Sequence, residues 1–229
     1  MKIGIMQPYL FPYIGYFQLI CAVDEFVIYD DVNYIRQGYI NRNTILMGDT
    51  PQRFTIAVPG ASSFKKISEL SFDANVDKVL KTLRQAYHKK PYFEPIYNLV
   101  ERVLTNDERQ IPLVCRRAIK EIFTWLGVEK SLCLASELNY SRTATTSGKV
   151  IDICHVLGGN HYVNSIGGQH LYHRDDFSAH GLKMSFIKMS EIIYPQGGIN
   201  FHPGLSIIDV LMNCSPAEVK SLLGKYELI

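Results

Sequence analysis

Two short apolar runs, Lys2 to Met6 and Glu25 to Tyr29, constrain this chain more than any other feature. Gln7-Pro8 ends the first and Asp30-Asp31 the second, so each reads as a strand followed by a polar loop. Between them Phe17, Ile20, Cys21 and Asp24 follow helical spacing. Strand, helix and strand within so short a span predict a parallel β-α-β unit, because parallel neighbours need a crossover to join them.

The rest of the chain extends this pattern and interrupts it once. Gln52 to Val58 alternates like a strand and ends in the turn Pro59-Gly60. Val76, Val79, Leu80, Leu83 and Tyr87 lie on one helical face, with Asp73 or Asn75 placed to cap it and Pro91 to break it. Helix resumes over 95–104 and again over 111–126, where Pro112 suits the first turn and Gly127 the C-terminal cap. Further strands are expected at 130–135, 161–164 and 183–188. Helices are expected at 147–157, at 205–213 and, from the Ser215-Pro216-Ala217-Glu218 start signal, to about Tyr226. The expected fold is α/β, one domain over 1–229, with a parallel, nucleotide-binding-like (nucleotidyltransferase-like) core. A mostly helical insertion or subdomain occupies 73–127.

Composition narrows the function classes. With 229 residues, 47% of them hydrophobic, the chain can bury a core. Its formal net charge is +2 and no long basic run is present, which argues against a nucleic-acid partner. The apolar N-terminal run is too short for a signal-peptide core, and no stretch approaches the roughly 18 to 20 apolar residues of a membrane span. A cytoplasmic location is therefore expected. Cys21, Cys115, Cys133, Cys154 and Cys214 are odd in number, scattered and never in a C-x-x-C pair, against both a disulfide framework and a cysteine-rich zinc site. Fourteen tyrosines against one tryptophan favour a small-molecule site, since a phenol keeps a hydroxyl at the rim of a pocket.

Ligands of open parallel sheets bind beyond the carboxyl ends of the strands, which directs attention to the loops there. Gln7 to Tyr16 holds Gln7, Tyr13, Gly15 and Tyr16, and a glycine at a helix start lets phosphate approach the amides. Asp30 and Asp31 follow the second strand; paired carboxylates there can hold Mg²⁺, orient a hydroxyl or take a proton, with Asp31 the expected catalytic residue. Asn41 and Arg42 follow, the latter a planar fork for phosphate or carboxylate. Arg142, Thr146 and Ser147 precede or open a helix and are expected to contact phosphate, although their segment lacks the Gly-Lys-Ser/Thr order of a P-loop. Ser165 is expected to bind substrate, and His161 or His170 to act as general base. His170 and His173 with His161 make a weak metal pattern, so no metal site is assigned.

The start of the chain also resembles nucleotidylyltransferases, with Tyr13-Ile14-Gly15-Tyr16 at the place of their H-x-G-H motif but with both histidines missing. Gln7 to Phe17, Asp30-Asp31-Val32, Asn41-Arg42-Asn43 and Leu205 to Asn213 together resemble the WbqC-like family over nearly the whole chain. The resemblance implies a bacterial cytosolic protein whose relatives lie among genes for O-antigen and other surface polysaccharides. The expected function is group transfer to a nucleotide-activated sugar or related phosphorylated precursor, acyl or aminoacyl transfer to an amino sugar included. An acyl thioester donor or Mg²⁺ is the cofactor that this implies, and a carrier protein or polysaccharide-biosynthesis enzymes the partners. Nucleotidyl transfer and a non-catalytic scaffold in a polysaccharide assembly complex are the two alternatives.

Overall fold

The computed structural model describes residues 1–229. A six-stranded sheet contains β1 (Lys2–Met6) and β2 (Glu25–Ile28), then, beyond the separate hairpin β3 (Arg42–Met47) and β4 (Thr50–Thr55), β5 (Ser131–Leu134), β6 (His161–Ser165), β7 (Lys183–Met189) and β8 (Tyr226–Leu228). Its order is β5-β2-β1-β6-β7-β8, parallel except for the antiparallel edge β8. The helices are α1 (Ile14–Ala22), α2 (Asp77–Tyr87), α3 (Phe93–Leu104), α4 (Ile111–Leu126), α5 (Thr146–Val156), α6 (Arg174–Ser178), α7 (Ile207–Asn213) and α8 (Pro216–Leu223).

Strand side chains alternate between the two faces, and both faces are buried. Ile3, Ile5, Val27, Tyr162, Met184 and Phe186 pack under α5 and α6 in one core. Phe26, Ile28, Val163 and Ile187 point the other way, into a larger core shared with α1, α8 and the helical block. The 73–127 block thus contributes α2, α3 and α4 to the same core as the sheet. Gly127 caps α4 with φ of 65°, the left-handed conformation that glycine adopts without penalty.

Five elements differ from expectation. β3 occupies a stretch to which the sequence pattern assigns no element, because Gly48-Asp49 makes a tight turn between the Met47 and Thr50 partners and draws Arg42–Met47 into a hairpin. β4 consequently starts and ends earlier than the predicted strand. The last helix stops at Leu223, freeing Tyr226–Leu228 to pair with β7 as an edge strand, a pairing that no local pattern announces. α6 was not foreseen. The architecture is α/β with a mostly parallel central sheet.

Two buried polar knots fix the long connections. Phe11 sits at φ of 45°, unusual for a bulky residue, and its carbonyl accepts both Asn43 Nδ2 and Ser206 Oγ, each at 2.7 Å. Asp209, 1% exposed on α7, accepts the Tyr87 hydroxyl at 2.6 Å and the Tyr194 hydroxyl at 2.8 Å. Tyr87 Oη in turn accepts the Leu46 amide, so α2, β3, α7 and the segment after β7 meet at one carboxylate.

Burial raises the Asp209 pKa above its ordinary 3.8. The folded chain then holds this proton to higher pH than the unfolded chain does, so stability is lost as pH rises from 3.8 through the raised value. In denaturant titrations at stepped pH, wild type is expected to lose stability relative to Asp209→Asn across that window and to show no further drift above it. Asp209→Ala, which strands two buried phenols, is expected to cost about 3 kcal/mol.

Candidate functional site

The chain leaves β1 toward β2 on one side, while β6 flanks β1 on the other, so the strand order reverses between β1 and β6. A crevice opens at the carboxyl ends of strands at such a point. Here it is a cavity of about 520 Å³. Period-two alternation puts Ile5 and Gln7, Val27 and Tyr29, and Tyr162 and Asn164 on the face that α5 covers. Gln7, Tyr9, Tyr29 and Asn164 accordingly line the cavity, with Ser165, Gly167, Gly168 and Tyr172 closing it from the loop after β6.

The remaining wall is the start of α5. Thr145 caps this helix, its Oγ1 accepting the Gly148 amide at 3.1 Å. Thr146 and Lys149 face the cavity, and Lys149 is in none of the ion pairs of the molecule. Free amides, the helix dipole and an unpaired ammonium all favour an anion at this wall.

Asp30 and Asp31 set the position of that wall. Asp30 accepts the Ser136 amide at 2.9 Å and the Ser136 hydroxyl at 2.7 Å, and burial raises its pKa. Asp31, its side chain 3% exposed, accepts the Tyr140 hydroxyl at 2.7 Å and Arg142 Nε at 2.8 Å. The Arg142 guanidinium lies 4.6 Å over the Tyr140 ring and donates to the Leu138 carbonyl at 3.0 Å. The loop that delivers α5 is thus bound to the end of β2. The Tyr29 hydroxyl, on the cavity wall, lies beside that of Tyr140, and burial pushes it up to about 12.

Of the residues expected to form the site, Gln7, Thr146 and Ser165 meet in this cavity. Others lie elsewhere. Tyr16 is buried, and its hydroxyl donates to the Gln7 carbonyl at 2.9 Å. A Cβ at Gly15 would stand 2.4 Å from the Tyr13 ring, so this glycine admits that ring and not a phosphate. The start of α1 is sealed by a bridge between Tyr13 and Ser206 and by the Ile207 amide on the Pro12 carbonyl. The start of α1, where an anion site was expected, is closed by the protein, whereas the start of α5 opens on the cavity.

Tyr13 lines two neighbouring clefts, one of about 250 Å³ with Tyr9 and Tyr39, the other an apolar one of about 550 Å³ with Ile193 and Phe201. Asn41 donates to the Ile56 carbonyl at 2.7 Å and Arg42 to the Arg36 carbonyl, both at the root of the hairpin. Arg142, expected on phosphate, is held by Asp31. Ser147 lies one residue past Thr146 and is not on the wall. His161 starts β6, about 13 Å from its carboxyl end at the usual strand rise, beside Lys2 and Lys183. Burial and those cations lower its pKa. That end of the sheet is remote from the cavity, so His161 is no general base for it. His170 is exposed on a short 3₁₀ turn, and no group of three His, Cys, Asp or Glu side chains is arranged to hold a metal.

Tyr29, Asn164 and Gly168 were not singled out individually from the sequence. Strand parity counted from the buried Ile5, Val27 and Tyr162 would have found the first two. For the pair of aspartates, Asp31→Ala is expected to cost about 2 kcal/mol, since the partner Arg142 is 38% exposed and partly screened. Hydrogen exchange should show faster opening over 135–145 and little change in β6 or β7.

Comparison with known proteins was consistent with the sequence resemblance. The uncharacterized protein Rv1507c of Mycobacterium tuberculosis (strain ATCC 25618 / H37Rv) is 26% identical over 217 residues, 93% of each chain. No solved structure matches. The WbqC-like protein family matches residues 7–221, and the chain belongs to that family.

Proposed function

We propose that this chain is a group-transfer enzyme that binds a nucleotide-activated sugar or a related phosphorylated precursor in the cavity between β1 and β6. One observation carries the reading: an unpaired Lys149 and the open start of α5 face a cavity of about 520 Å³ at the reversal of strand order. The phosphate groups lie against Thr146 and Lys149, and the remainder of the ligand extends toward Gln7, Asn164 and the tyrosines.

In acyl or aminoacyl transfer to an amino sugar, the amine nitrogen forms a bond to the acyl carbon of a thioester. The carbon–sulfur bond breaks, and the departing thiolate takes up the one proton that the amine sheds. Tyr29, on the cavity wall, relays that proton from nitrogen to sulfur, and Tyr140, whose hydroxyl Asp31 accepts at 2.7 Å, holds the neighbouring phenol in place. A neutral phenol suits that place, because one shifted to about 12 can hand a proton on without resting as an anion. A role in bacterial surface-polysaccharide synthesis in the cytoplasm is part of the same proposal. No helix is long and apolar enough to cross a membrane.

The test is a thermal-shift screen of UDP-N-acetylglucosamine, coenzyme A and acetyl-coenzyme A, each with and without Mg²⁺. A bound compound at 100 times its dissociation constant should stabilise by about 2.7 kcal/mol. Lys149→Ala is expected to weaken binding of that compound at least tenfold while leaving the apo melting temperature nearly unchanged, because Lys149 stabilises nothing in the fold by an ion pair. Absence of stabilisation by every phosphorylated compound, or full affinity in Lys149→Ala, rejects the site.

A further inference from the structure

The cavity is lined by two carboxamides, each with a hydrogen-bonding group unused by the protein. Asn164 is 4% exposed, and its Oδ1 accepts the Ser165 amide at 2.8 Å, which sets the plane of the group and leaves Nδ2 as a donor with no protein acceptor. Gln7 is held through its main chain by the Tyr16 hydroxyl, and its Oε1 is cut off from solvent with no partner. A buried polar atom without a partner is costly, and beside a cavity the group can be satisfied by what fills the space.

Gln7 directly follows β1 and Asn164 lies on the adjacent β6, and strand parity puts both side chains on the same face. Gly168 keeps the Asn164 group uncovered: a Cβ there would lie 2.4 Å from Nδ2. The side chains of Tyr9 and Tyr29 line the same cavity.

Building on the nucleotide reading above, we infer that Gln7 and Asn164 read the edge of a nucleobase, with Asn164 Nδ2 donating to a ring or exocyclic acceptor and the Gln7 carboxamide turning into the cavity so that Oε1 takes the adjacent N–H. Carboxamides pair edge-on with bases through this adjacent donor and acceptor, and phenol rings hold the planar base by stacking. A sugar hydroxyl satisfies either amide singly; a planar base satisfies both and fills the space between the rings. These residues then decide which nucleotide is accepted, while Lys149 and the start of α5 supply affinity common to every phosphate ester.

Isothermal titration of the full chain with UMP, CMP, AMP, GMP and ribose 5-phosphate separates the contributions. At least one nucleotide is expected to bind ten or more times as tightly as ribose 5-phosphate. Gln7→Leu and Asn164→Asp are each expected to bring that ratio to within twofold. Asn164→Asp keeps an oxygen for the Ser165 amide and so keeps the fold, which circular dichroism and the melting temperature verify. Gly168→Ala, which crowds Nδ2, should lower the ratio as well. Ribose 5-phosphate binding as tightly as every nucleotide overturns the base-reading pair and leaves the phosphate site standing. A ratio that survives in both Gln7→Leu and Asn164→Asp overturns the pair as well, since the base then binds elsewhere. If none of the five compounds binds, the phosphate site and the base-reading pair fall together.

Discussion

The candidate site depends on the paired carboxylates at the end of β2. Asp30 and Asp31 accept four hydrogen bonds from Ser136, Tyr140 and Arg142, all on the segment that follows β5. That segment must travel from the sheet edge, past β2 and β1, before α5 can begin. Acceptors at the top of β2 determine where it crosses and hence where the first turn of α5 points. Both carboxylates are buried and their oxygens are occupied by these donors, so their effect is geometric: they place Thr146 and Lys149 opposite the ends of β1 and β6.

The two crossovers next to β1 end differently for a physical reason. Eight of the nine residues of α1 are buried, and the chain segments 11–13 and 204–207 close over its first turn. Its amides have protein partners or protein walls. α5 covers the other face of the sheet as an amphipathic helix, with Val150, Ile151, Ile153 and Cys154 inward and its first turn accessible. Only a helix end that reaches the surface at the carboxyl edge can offer its dipole to a ligand.

Much of the fold was legible from local pattern. β1, β2, β5, β6 and β7 coincide with short apolar runs, and α4 begins and ends at the residues that Pro112 and Gly127 indicate. What local pattern cannot show is partner choice. Arg42 and Asn43 carry no strand signal of their own, yet they belong to a strand because the opposite arm of the hairpin lies across a two-residue turn. Asp31 has the chemistry of a general base, and nothing within ten residues of it reveals that Tyr140 and Arg142 will claim both oxygens. Gly15 could serve a ligand or a neighbouring ring, and the packing of Tyr13 decides for the ring.

The order of residues alone thus determined the parallel β-α-β start, the helical middle block, the buried strands and the family to which the chain belongs, since periodicity and caps act over a few residues. Tertiary structure decided which polar side chains are spent on one another and which are left facing a cavity. That outcome depends on contacts between residues more than a hundred positions apart, such as Asp31 with Arg142, and on strand parity across β1 and β6, neither of which is encoded in any short window. Burial makes those distant pairings decisive: once water is excluded, each donor must find an acceptor wherever the fold brings one.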